Sequence, residues 1–194
     1  MTSILEVEQL DTLSSNASST LTIGGTNTTT IAFGPNVTTT PSSLANIPAF
    51  KVYLTSAQSI PANTYTKVQF NTTSGNNNTG WNTGSGFDTS NYRFTCPSGK
   101  DGKYYFSVSL LIEYADALNE YGNIRWYLNG AEYGNFRQGM NSGGGEYSFT
   151  SNTIIPLSAS DYVEVYINQV TSGSRNIDAN SRYTWFEGYK LIGA

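Results

Sequence analysis

The chain has 194 residues, room for one medium domain with an appendage or for one large β domain, and only 12% of them are charged, against roughly 25% in an average soluble domain. The net charge is −4 with no Lys/Arg cluster, so nothing presents a footprint for phosphate backbones and nucleic acid is not expected as a partner. There is no histidine and a single cysteine, Cys96, which removes the commonest general base, the commonest metal ligand and any intrachain disulfide.

In place of charge the chain carries Asn, Thr, Ser, Gly and aromatics, 13% of residues being Phe, Trp or Tyr. Tyr and Thr favour pleated surfaces, while Gly and Asn favour turns. No apolar run reaches the roughly 18–20 residues that cross a bilayer, so membrane insertion is not expected. The opening residues lack the basic start and apolar core of a signal peptide.

Residues 1–47 form a first region, free of Lys, Arg, Tyr and Trp. Ile4, Val7, Leu10 and Leu13 recur every third residue in an element too short to stand alone. It is expected to pack on copies of itself or on a larger assembly, as an anchor. Thr20-Leu-Thr-Ile-Gly24 returns as Thr30-Ile-Ala-Phe-Gly34, with apolar and small polar residues alternating. One such strand cannot bury both itself and its neighbours. A thin β-rich stalk with a core shared between copies is expected, against a disordered Ser/Thr-rich leader. Two prolines bracket a small-residue linker at Pro41–Pro48, which sets the boundary.

From Pro48 to Ala194 short strands alternate with turn signals. They are expected near Ala49–Leu54, Thr66–Phe70, Tyr92–Thr95, Lys103–Glu113, Asn123–Leu128, Glu132–Gln138, Tyr147–Pro156, Tyr162–Val170 and Thr184–Ile192. Asn129-Gly130 is a two-residue hairpin turn, since both residues tolerate positive φ. Tyr104, Phe106, Val108 and Leu110 share one face, and Tyr162 opposes Val163, Val165 and Ile167. Regular short strands without βαβ spacing predict an all-β sandwich.

Several residues of this region match a known pattern. Asn82, Phe87, Phe94, Gly102, Tyr104 and Phe106, the opening Ala49-Phe50, the Asn129-Gly130 hairpin and the closing Phe186-Glu-Gly188 strand together resemble the globular C1q domain, across nearly all of residues 49–192. Ser74–Gly80 is an insertion relative to that family, and the collagen tail of many relatives is absent. The resemblance implies a C1q/TNF-like jelly roll of about ten strands, assembled as a homotrimer with one sheet towards the threefold axis. It places Phe50, Val52, Phe94, Phe186, Tyr189 and Leu191 on that sheet, as candidate trimer contacts. The repeats of residues 1–47 look like the leader of phage or other virion fibre proteins, especially of marine phages. Together these imply a non-enzymatic fibre or decoration protein on the virion surface, held to a capsid or tail protein through residues 1–47.

Loops rich in Asn, Tyr, Trp and Arg suit a host-surface glycan or protein, because aromatic faces stack on sugars and amides pair with hydroxyls. The candidates are Trp81, Tyr114, Tyr121, Arg137, Arg175 and Arg182. Gly139–Gly145 lacks the Lys-Ser/Thr of a phosphate loop and reads as a flexible connection. Glu113, Asp116 and Glu120 are poorly spaced for Ca²⁺, which needs about 6–8 oxygens, so no cofactor is expected. Cys96 reads as a small buried hydrophobe. Two competing readings are a secreted C1q-like lectin or adhesion protein and a small polysaccharide depolymerase, which would need two carboxylates across a cleft.

Overall fold

Alternation along each strand decides which side chains enter the core, and here it builds two facing sheets. The structure, a computed structural model, describes residues 47–114, 121–139 and 145–192. The anchor and stalk expected before residue 47 lie outside the described residues. The strands are β1 (Ala49–Val52), β2 (Gln58–Ile60), β3 (Thr66–Lys67), β4 (Trp81–Thr83), β5 (Phe87–Asp88), β6 (Arg93–Thr95), β7 (Gly102–Tyr114), β8 (Tyr121–Leu128), β9 (Ala131–Gly139), β10 (Gly145–Leu157), β11 (Tyr162–Val170), β12 (Arg175–Ile177) and β13 (Trp185–Lys190). All nine expected strands are present, and β2, β4, β5 and β12 are additional. Two or three residues leave no period to read in a sequence, which is why these four are missing from the expectation.

A seven-stranded sheet runs in the order β2-β12-β7-β13-β1-β4, with β10 on the other side of β7. A six-stranded sheet runs β5-β6-β11-β8-β9, with β3 also on β11. The pairings between these strands are antiparallel, and β7 and β10 match along their full length from Gly102↔Leu157 to Tyr114↔Gly145. The β8–β9 hairpin turns on Asn129 and Gly130 at φ 53° and 80°, the mirror-image turn that the right-handed twist of the strands requires.

The inner faces carry the expected residues. Tyr104, Phe106, Val108 and Leu110 of β7 face Val163, Val165 and Ile167 of β11, all of them buried. The centre is aromatic: Phe50 lies 4.8 Å from Phe186, 4.9 Å from Phe87 and 5.3 Å from Phe94 between ring centroids. Such pairs contribute about 0.5–1.5 kcal/mol each beyond their area. The Trp126 indole N–H donates to Ser151 Oγ at 3.0 Å inside the core, joining the two sheets.

Two signature residues have clear jobs. The Asn82 side chain donates to the Phe87 carbonyl at 2.8 Å and accepts from the Phe87 N–H at 3.1 Å, satisfying both backbone groups of a short strand. Gly188 sits across from Phe106, where an added Cβ would lie 2.5 Å from that ring and 2.9 Å from Phe50. Only glycine leaves room for the aromatic centre.

Four of the expected trimer contacts are corrected by this packing. Phe50, Val52, Phe94 and Phe186 are at most 1% exposed within a single chain, so they cannot meet a neighbour. Phe94 belongs to β6 in the six-stranded sheet, not to the sheet that holds the other three. The error comes from the period of two: adjacent residues of a strand face opposite ways, and the resemblance fixed the strand but not the side.

Candidate assembly and binding surfaces

The outer face of the seven-stranded sheet is built in cross-strand rows. Thr83, Ala49, Tyr189, Tyr105 and Ile154 form one row, by the registers of β4, β1, β13, β7 and β10. Ile154 is 52% exposed and Tyr189 36%, and the Tyr105 and Tyr189 rings are 5.3 Å apart. The next row holds Trp81, Lys51, Glu187, Ser107 and Asn152. Lys51 and Glu187 form an ion pair at 2.8 Å, and the Lys51 ammonium lies 4.5 Å from the Trp185 ring. Trp81 is 48% exposed and, with Tyr189, walls a depression of about 290 Å³ that also touches Gly188. This face therefore offers apolar area in one row, small polar side chains on β7 and, at its margin, the long strand β10, which pairs with β7 alone among the described strands.

Tyr189 and the half-buried Leu191 keep the accessibility that a contact residue needs. Trp81, expected in a binding loop, instead belongs to β4 on this sheet face.

Two of the expected loops are tied into one unit. Ser181, 1% exposed, accepts at Oγ from the N–H groups of Asn77 and Asn78, and its own N–H donates to Asn76 Oδ1. Asn77 Nδ2 reaches Asn180 Oδ1 at 3.0 Å. The Asn-rich insertion is thus fastened to the 178–183 turn, with exposed Arg182 and Tyr183 beside it. Arg175 lies on β12, half-buried. The Tyr114 side chain, Asp116, Glu120 and the glycine loop 140–144 lie outside the described residues.

The six-stranded sheet turns a polar, aromatic face outwards. Arg137 stacks on Tyr121 with 3.4 Å from its guanidinium carbon to the ring centroid, Arg125 on Tyr65 at 3.7 Å and Arg93 on Tyr162 at 4.3 Å. The rings of Tyr127 and Tyr166 are 4.3 Å apart. Arg125 pairs with Glu132 at 2.7 Å and Lys67 with Glu164 at 2.5 Å. Tyr121 and Arg137, singled out separately in the sequence, are brought together here. Arg93, Arg125, Tyr127 and Tyr166 were missed. Their signal was present, since they alternate with the buried Phe94, Ile124, Trp126, Val165 and Ile167.

Cys96 is buried as expected, with Sγ 3.6 Å from the Tyr104 hydroxyl. Burial pushes its thiol up from the ordinary range. Tyr104, also raised by burial, donates to the Lys100 carbonyl at 2.6 Å. These groups hold a turn.

Two crystal structures of murine APRIL, at pH 5.0 and pH 8.5, superpose on this chain with TM-scores of 0.53 and 0.51 at 15% identity. They cover 74% of this chain and 98% and 99% of their own. The fold is a C1q/TNF-like jelly roll. At that identity the likeness speaks for the fold alone. In sequence, the chain is 32% identical over 117 residues to the phage-like element PBSX protein XkdV of Bacillus subtilis (strain 168), over 55% of this chain and 17% of that protein. The chain thus spans less than a fifth of the length of this curated relative. No family model matches.

Proposed function

We infer that this chain is a non-enzymatic structural protein of a phage particle, whose jelly-roll head assembles as a homotrimer and presents a binding surface to the host. The observation that carries the reading is the outer face of the seven-stranded sheet. There exposed Ile154 and Tyr189 flank half-buried Tyr105 in an apolar row that ends on β10, the strand at the margin of the sheet. Around three copies this row closes on itself and is shielded from water, which an isolated chain cannot do. Burying a large apolar side chain is worth about 1.5–3 kcal/mol. Similarity to a protein of a phage-like element supports the particle context.

The six-stranded sheet and the fastened loops then point away from the axis, where three copies of a weak site act together through effective concentration. The test is gold-labelled antibody against the head on intact particles, paired with competition by the purified chain in host adsorption. Label on the particle surface and reduced adsorption are expected. Unlabelled particles, or adsorption untouched by a large excess of folded protein, would overturn the reading.

A further inference from the structure

On the outer face of the six-stranded sheet, β11, β8 and β9 align Asn168, Asn123 and Arg137 in one cross-strand row. The next row holds Tyr166, Arg125 and Asn135. Arg137 is exposed, and among the described residues it has no carboxylate within ion-pair distance. Two other cations of the same sheet, Arg125 and Lys67, are each paired with a glutamate. Asn123 and Asn168 are each 8% exposed, and among the described residues Asn168 Oδ1 has no hydrogen-bond partner.

Stacking fixes what Arg137 can do. The Tyr121 ring supports one face of the guanidinium, so its in-plane N–H groups stay free to point at a planar two-oxygen acceptor. A carboxylate matches that fork. The neighbouring row offers an amide, Asn135, about 7 Å along β9 from Arg137, and an aromatic ring, Tyr166, that lies a further two strands, roughly 10 Å, across the sheet. Amides pair with sugar hydroxyls and a ring packs on the apolar face of a pyranose. The spacing suits successive units of one acidic saccharide chain. A polyol-phosphate polymer would leave the aromatic and amide positions without a partner.

We propose that the Arg137–Tyr121 stack, with Asn123 and Asn135 beside it, is a binding site for acidic polysaccharide, the carboxylate of a uronic-acid unit sitting on Arg137. This names the ligand class for the host-facing surface inferred above and rests on that reading. A cation presented on a chain of net charge −4 also orients the head, since the acidic surface elsewhere repels the same polymer.

The test is biolayer interferometry of the full chain on immobilised polygalacturonate, on its methyl-esterified form, on dextran and on a glycerol-phosphate polymer. The expected result is binding to polygalacturonate that weakens with salt and is lost on esterification, which keeps the ring and removes the charge. Arg137→Ala should weaken binding by at least about tenfold, or about 1.4 kcal/mol. Arg137→Lys should also weaken it, because an ammonium cannot make the planar fork, and Lys100→Ala, which removes a cation from the turn between β6 and β7, should not. Equal affinity for the esterified polymer, preference for glycerol phosphate, no binding to polygalacturonate, or an unaffected Arg137→Ala variant would each overturn the proposal. Light scattering on the same samples separates the two readings. A trimer that fails to bind refutes the ligand class, whereas a monomer whose binding depends on Arg137 keeps the site and refutes the trimer.

Discussion

Replacing Phe186 by alanine tests where the aromatic centre does its work. Its ring lies 4.8 Å from Phe50, 5.5 Å from Phe70, 5.7 Å from Phe87, 5.9 Å from Trp126 and 6.1 Å from Phe106. The side chain is 1% exposed in a single chain. Truncation removes the transfer free energy of the ring and leaves a cavity whose walls are themselves rigid rings, so little of it collapses. Losses of about 3–5 kcal/mol are usual for such a change. At about 2–4 °C per kcal/mol for a domain of this size, the melting temperature should fall by about 6–20 °C. Guanidinium unfolding followed by tryptophan fluorescence measures the difference directly. Because the contacts lie within one chain, the wild-type-to-variant difference should not change with protein concentration over a hundredfold range. An unchanged unfolding midpoint with loss of the oligomer would refute the reasoning and restore Phe186 to an interface.

Asn82→Ala removes two hydrogen bonds at once and strands both backbone groups of Phe87, so a loss of about 1–3 kcal/mol is expected in the same unfolding assay. Asn82→Asp should cost nearly as much, since a carboxylate accepts from the Phe87 N–H but cannot donate to its carbonyl. Cys96 should react with a thiol reagent at pH 8 far more slowly in the native protein than in guanidinium, because burial both hides the sulfur and raises its pKa. Equal rates in the two states would show that the turn around Pro97–Lys100 opens freely.

Much of the fold was legible because the core strands obey a period of two. Tyr104–Leu110 and Tyr162–Ile167 alternate without interruption, and Asn129-Gly130 announces its turn chemically. What the sequence withheld was strand order. Arg137 and Tyr121 lie at opposite ends of a hairpin, and only the β8–β9 register sets them on one face. Arg93 and Tyr162 are joined by a pairing of β6 with β11 across nearly seventy residues of chain. The misplaced trimer contacts have the same origin. Matching Phe50 and Phe186 to family strands located the sheet, but the bulky aromatics of those strands point inwards, and the outward residues are exposed Tyr189 and Ile154 with half-buried Tyr105 between them. Ile154 drew no attention because Ile154-Ile155 reads as an unbroken apolar pair. Only pairing with Tyr104 and Tyr105 shows that one isoleucine is core and the other is surface.

The proposed trimer closes three heads around the outer face of the seven-stranded sheet. The most direct measurement is the mass of the full chain by light scattering at micromolar concentration, compared with Ile154→Asp, a change at an exposed position that leaves the core untouched. The account predicts three times the 21.1 kDa chain mass for the wild type, and a single-chain mass with a near-native melting temperature for the variant. A wild-type protein at the mass of one chain, or an Ile154→Asp protein that stays trimeric, would contradict it.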